Sequence, residues 1–204
     1  AIEQLIGEGI NVNVTLLFAL EAYERAADAY ITGLERLIAR GGDPTRLAGV
    51  ASFFVSRIDT AVDALIATRL QASTNAREQS SLRGLTGRAA TANAKLAYQR
   101  YQELFSGRRW EALAAQGAHT QRLWWASTGV KDPEASDILY ITSLAAPNTV
   151  NTMPEGTLLA FANHGELGPL LTADDNAEEM LARFSRSGID VAARTVSCED
   201  IPPI

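Results

Sequence analysis

One short stretch limits the folds open to this chain more than any other. Residues Ile10 to Phe18 read Ile-Asn-Val-Asn-Val-Thr-Leu-Leu-Phe, alternating at first and then wholly apolar. Period-two alternation in β-branched types predicts a strand, and the apolar close predicts that it is buried. An amphipathic helix is predicted immediately after it, from Leu20 to Ala39, with Tyr23, Ala26, Tyr30, Leu34 and Leu37 among apolar positions spaced by three and four. A buried strand leading into a helix is the repeating unit of a parallel sheet, because parallel neighbours need a long crossover.

The unit recurs along the chain. Gly41-Gly42-Asp43-Pro44 stops the first long helix, Leu47 to Val55 predicts a second strand, and Ser56-Arg57-Ile58-Asp59 turns it into a helix to about Leu70. Further strands are predicted over Arg122–Ala126 and Thr149–Met153, with a short apolar run at Tyr140–Leu144 between them. Helical spacing marks Ala1–Ile6, Ala89–Phe105, Arg108–Ala115 and Asn176–Ser187, the last ended by Gly188. Pro154 opens a helix to His164, a position where its missing N–H has no intrahelical partner to lose. Residues 71–88 are polar and rich in small side chains, which predicts a surface excursion with some helix, while Ile189-Asp190-Val191 and Pro202-Pro203 read as a tail.

Alternating strands and helices imply an α/β fold with right-handed crossovers. Four principal strands in 204 residues are about half of an eight-strand TIM (β/α)8 barrel, so the chain is expected to supply roughly the second half of one barrel domain. The chain starts on a helical pattern at Ala1 without a capping residue before it, which adds the expectation that it opens inside a larger domain. Open sheet edges would then need the missing N-terminal half, or a second copy, to cover them.

Composition removes several classes. A net charge of −6 argues against a general nucleic-acid binder, which needs a basic surface to displace counterions. The single cysteine, Cys198, cannot form an internal disulfide, and no Cys/His cluster has metal-ligand spacing. No run approaches the roughly 20 apolar residues of a membrane span and no signal peptide opens the chain, so a cytoplasmic protein with no membrane partner is expected.

In a parallel barrel alternate side chains face the lumen, so Asn11, Asn13 and Thr15 share the inner face while Val12, Val14 and Leu16 lie under helices. Buried polar groups must bond to one another, to water or to a ligand, and both a ligand contact and a satisfied polar layer meet that need. Ser52 and Phe54 share a face of the second strand, and Arg57 arrives at its C-terminal end, where barrel enzymes place their sites. That arginine suits an anion, with a surface ion pair to Asp59 as the competing reading. Ser127-Thr128-Gly129-Val130-Lys131 joins hydroxyls, free backbone N–H groups and a cation into a possible phosphate cradle without P-loop spacing.

Only Lys95 and Lys131 are available as amines. Lys95 falls on an amphipathic helix, and Lys131 sits in a polar loop beside Asp132, where nothing strips its ammonium of water as a Schiff-base lysine requires. Lys131 is therefore read as a phosphate contact. His119 and His164 have no nearby Ser/Asp or metal-like partner in the sequence and read as surface or capping groups; Glu155 reads as a first-turn acid. Trp124 and Trp125 should face opposite ways, with Trp125 on the face of Ser127 and core packing the default for Trp124.

Taken together, Glu8 to Phe18 resembles the fifth-strand motif of transaldolases. Phe53 to Asp59 is similar to the sixth-strand motif, Trp125 to Pro133 to the seventh strand of the longer bacterial branch, and Thr149 to Glu155 to its eighth. The resemblance implies a TIM barrel that moves a dihydroxyacetone unit from a ketose phosphate, such as fructose 6-phosphate or sedoheptulose 7-phosphate, to an aldose phosphate in the pentose phosphate pathway. It implies no metal or organic cofactor, and a strand-four lysine Schiff base lying upstream of Ala1, so that this chain alone would be catalytically silent. By the same resemblance Asn13 and Thr15 would contact the intermediate and orient a water, Ser52 and Phe54 would line the substrate, and Arg57 and Ser127 would hold its phosphate; many relatives carry an arginine shortly after that serine, whereas here the cation is Lys131, four residues on in a different loop. Two other functions fit the same residues: a related Schiff-base aldolase that cleaves without transfer, and a non-catalytic sugar-phosphate-binding or assembly half-barrel.

Overall fold

The computed structural model describes residues 1–171 and 176–199, and the Pro202-Pro203 segment lies outside them. Its centre is a parallel sheet of β1 (Val12–Leu17), β2 (Gly49–Phe54), β3 (Arg122–Ala126) and β4 (Thr149–Asn151), in spatial order β1-β2-β3-β4. Each strand pairs with the next in sequence, and helices fill the connections. α1 (Ile2–Gly7) precedes β1, and α2 (Leu20–Ala39) crosses to β2. α3 (Ser56–Ala72), α4 (Ala76–Arg83), α5 (Ala89–Leu104) and α6 (Arg108–Ala114) connect β2 to β3. α7 (Leu139–Thr142) leads to β4, and α8 (Glu155–His164), α9 (Ala177–Arg186) and α10 (Val191–Glu199) follow it. Sequential parallel order with helical crossovers is how consecutive units of a (β/α)8 barrel are arranged.

The core forms between the sheet and its helices because helix spacing and strand parity meet there. Tyr23 of α2, Phe53 of β2 and Trp125 of β3 stack edge to face, with centroids 6.3 Å apart at both steps. All three are at most 1% exposed, and the Trp125 indole N–H donates to the Leu144 carbonyl at 2.9 Å. α1 lies so close to α2 that a Cβ on Gly33 would sit 2.5 Å from the Cβ of Ile6 and 2.9 Å from the Glu3 carbonyl oxygen. Gly33→Ala is therefore expected to destabilise the fold by about 1–3 kcal/mol, read as a drop in the urea midpoint.

Three elements differ from their sequence reading. Tyr140 and Ile141, within the short apolar run, belong to the brief helix α7. Val191, read as tail, starts α10, whose Val191, Thr195 and Cys198 are buried at i, i+4 and i+7; the small and polar residues between them concealed the helical face. Leu16 takes a left-handed φ of 60°, and the β1–β2 register shifts between Val14 and Leu17. That bulge moves Leu17 onto the helix side opposite Phe53, so strict alternation ends at Thr15.

Within residues 71–88, Leu82 and Leu85 pack into the core and the backbone N–H of Gly87 bonds the Asp63 carboxylate at 3.0 Å. Among the described residues β1 and β4 are the sheet's edges. Beyond β4, Leu158, Leu159, Leu167 and Leu170 are each more than half exposed. No helix among the described residues is long and apolar enough to cross a membrane.

Candidate functional site

Register places Val50, Ser52 and Phe54 of β2 beside Asn13 of β1 and Arg122, Trp124 and Ala126 of β3. This is the sheet face turned away from the Phe53–Trp125 core. The Ser52 hydroxyl donates to the Asn13 carboxamide oxygen at 2.8 Å. That bond commits the Asn13 oxygen and leaves its amide N–H groups as donors on the open face. Asn13 and Thr15 are exposed, Ser52 is buried, and Phe54 is half-buried with its ring 5.3 Å from Phe18. Asn11 lies below them, where its oxygen accepts the Ala48 N–H at 2.8 Å.

The tryptophans take the reverse of their expected places. Trp125 is in the core, and Trp124, paired with Ser52, is on the inner face with an indole N–H that has no partner among the described residues. The inference from Ser127 failed because Ser127 has a left-handed φ of 54°, which breaks strand parity immediately after Ala126.

At the C-terminal ends of β2 and β3 the pairing continues past the strands. Val55 N–H donates to Ala126 and Ser56 N–H to Ser127, at 3.0 and 2.9 Å, so the first turn of α3 is tied to the end of β3. Arg57 lies in that turn, its guanidinium carbon 5.4 Å from the Phe54 ring centroid. Its Nη1 is shielded and donates to no atom among the described residues. Asp59 is not its partner: that carboxylate is buried, accepting the Ala90 N–H at 2.8 Å and the Tyr140 hydroxyl at 2.7 Å. A cation unmatched among the described residues and a polar row thus meet at one end of the sheet. Sequence reasoning passed over Ser56, whose hydroxyl is 3.0 Å from that of Ser127.

Lys131 takes a different position. It is exposed and lines a cavity of about 830 Å³ between α3, α5 and the β3–α7 connection, whose walls include Ser56, Asp59, Asp63, Lys95 and Tyr140 but neither Arg57 nor Ser127. Lys95 stands on α5, facing the same cavity. Thr128, within the loop, is fully buried and donates to Asn151 at 2.7 Å, so this part of the suggested cradle is occupied in tying β3 to β4. Glu155 occupies the first turn of α8. His119 contacts the Thr45 carbonyl at 3.1 Å, and His164 has an acid partner unseen in the sequence, Asp137 at 3.0 Å. No group of His, Cys, Asp and Glu that could hold a metal occurs among the described residues.

Burial in the cavity wall, reinforced by Asp59 and Asp132 nearby, pushes the Asp63 carboxyl up to about 6 despite the Gly87 N–H. The folded chain then keeps a proton that the unfolded chain releases near pH 4, so this group makes stability fall as pH rises from about 4 to 6. Asp59 is raised for the same leading reason and acts in the same direction. Asp63→Asn should flatten that part of the profile, measured as the difference between the two proteins' melting temperatures across pH 4–7.

Parallel units in sequential order, with polar groups gathered at the strands' C-terminal ends, make this an α/β protein consistent with the (β/α)8 barrel class. The chain belongs to the Transaldolase/Fructose-6-phosphate aldolase family, whose model matches residues 1–200. It is 50% identical to Transaldolase 1 of Streptomyces avermitilis over 202 residues, 98% of this chain and 51% of that protein. It is likewise 50% identical to a Transaldolase of Parafrankia sp. over 94% of this chain and 50% of the relative, and 53% identical to Transaldolase 2 of Streptomyces coelicolor over 82% and 43%. The chain spans about half the length of these curated relatives.

Proposed function

We propose that this chain forms the sugar-phosphate-binding part of a transaldolase that carries a dihydroxyacetone unit between sugar phosphates through a lysine Schiff base. The observation that carries the reading is Arg57, which has no acidic partner among the described residues and follows Ser56, whose N–H is tied to Ser127, at the same sheet end as the Asn13–Ser52 pair. Arg57 and Ser127 bind the phosphate, the arginine with its fork and the serine with a hydroxyl. Lys131, an exposed cation four residues past Ser127, lies on the wall of the helix-side cavity and contributes at most a long-range positive charge. Asn13 offers its amide N–H groups to the substrate's oxygens, Thr15 holds a water beside the reacting carbon, and Ser52 and Phe54 set the floor.

The amine comes from outside these four strands, since Lys95 faces the helix-side cavity and Lys131 is a solvated loop residue. The open edges of β1 and β4 and the exposed leucines beyond β4 support closure by further βα units, the C-terminal half of a longer-branch barrel being this chain's share. No organic cofactor or metal enters this scheme, and its setting is the pentose phosphate pathway of the cytoplasm. The test is turnover by the complete protein with fructose 6-phosphate and erythrose 4-phosphate. Sedoheptulose 7-phosphate formed only when the acceptor is present supports transfer; free dihydroxyacetone released at the same rate without the acceptor identifies a cleaving aldolase instead.

A further inference from the structure

We infer that Ser56 is a positioning residue for the phosphate site: its buried hydroxyl donates to Ser127 and so turns the Ser127 proton outward, toward the anion. The inference rests on the reading of Arg57 and Ser127 as the phosphate pair. Ser56 is 1% exposed, whereas Ser127 is half-buried. The two hydroxyl oxygens are 3.0 Å apart, and geometry alone allows either to donate. Burial decides the direction. Among the described residues the Ser56 hydroxyl has Ser127 as its partner, so a Ser56 that only accepted would hold an unbonded proton in the interior. Ser127 bears no such cost, because its own proton can reach solvent or a ligand. The favoured arrangement is therefore Ser56 O–H donating to Ser127 Oγ, with Ser127 O–H free, and an anion needs donors.

The backbone fixes the same pair. The Ser56 N–H donates to the Ser127 carbonyl at 2.9 Å, which helps hold Ser127 at φ 54°, a conformation that ordinary side chains seldom adopt. Ser56 also starts α3, and Thr60 bonds its carbonyl at 3.1 Å, so the residue that orients Ser127 is anchored one position before Arg57. One buried serine thus sets the relative placement of both phosphate ligands. Ser56 also borders the large helix-side cavity, yet only 1% of it is exposed, and its hydroxyl is bonded to that of Ser127.

The test compares two donor sugars, fructose 6-phosphate and unphosphorylated fructose, in the complete protein with Ser56→Ala, a substitution that nearly keeps the side chain's volume and removes its hydroxyl. The KM for fructose 6-phosphate is expected to rise about fivefold with kcat changed less than twofold, the size of one neutral hydrogen bond, and the preference for the phosphorylated donor falls by the same factor. Ser127→Ala raises the same KM, and adding Ser56→Ala to it gives no further rise, because the bond is already gone. If Ser127→Ala and Arg57→Met raise that KM while Ser56→Ala does not, or if Ser56→Ala weakens both donors equally, the positioning role is overturned. If neither Ser127→Ala nor Arg57→Met alters it, the phosphate reading itself fails, and the role of Ser56 with it.

Discussion

Arg57→Met will raise the KM for fructose 6-phosphate by one to two orders of magnitude while leaving the protein folded. Methionine keeps an apolar stem against Phe54, which is 5.4 Å from the guanidinium carbon, but carries no charge. Hydrogen bonds to a charged group contribute about 1.5–3 kcal/mol each, and 1.4 kcal/mol is tenfold in affinity. The loss should be uneven across substrates, large for phosphorylated sugars and small for unphosphorylated ones. Arg57→Lys restores the charge without the two-pronged geometry and should recover part of the affinity. Lys131→Ala, which removes a solvated cation on the wall of a different cavity, should cost about two- to threefold at most. Equal effects from Arg57 and Lys131 would show that net charge, and not the geometry of α3's first turn, governs binding. Steady-state kinetics on both sugars decides the matter.

Trp125→Ala will destabilise the fold by about 3–5 kcal/mol, a large share of the 5–15 kcal/mol that holds a typical domain together. Trp125 is 1% exposed, its ring meets Phe53 at 85°, and its N–H satisfies the Leu144 carbonyl ahead of β4. Removing it opens a cavity between sheet and helices and also strands a buried acceptor. The neighbouring Trp124→Ala should be much milder, since Trp124 is only half-buried on the inner face. Chemical denaturation of the two variants side by side measures the difference, and a larger loss at Trp124 would reverse the assignment of faces.

That contrast shows how far the residues alone carry the argument. Long amphipathic segments were readable because their apolar spacing is set by the same burial that stabilises them: the Tyr23 to Leu37 face of α2 packs under β1 and β2 as its period implies. Strand parity was equally readable at Asn13, Ser52 and Phe54, which the register brings onto one face. It failed where the backbone leaves the β region. Leu16 and Ser127 both have positive φ without being glycine, and no propensity argument anticipates that. Such positions are held by tertiary contacts, here the Ser56 N–H bond to Ser127. The partner of a charged side chain was the other gap. Arg57 and Asp59 are two residues apart in sequence, yet successive positions on a helix point in different directions, and Asp59 turns inward to Tyr140. Ser56 was overlooked for a related reason, as a serine at the start of a helix normally reads as a cap, while here its hydroxyl bonds across to the next strand.

On the proposed reading, these strands supply the phosphate-binding shell of a Schiff-base enzyme and not its amine. Borohydride reduction of the complete protein in the presence of fructose 6-phosphate, followed by peptide mapping, tests it most directly. A reduced three-carbon adduct is expected on one lysine that is neither Lys95 nor Lys131, with adduct formation at limiting substrate weakened in Arg57→Met. An adduct on Lys131 or Lys95, or no adduct in a protein that turns over substrate, would contradict it.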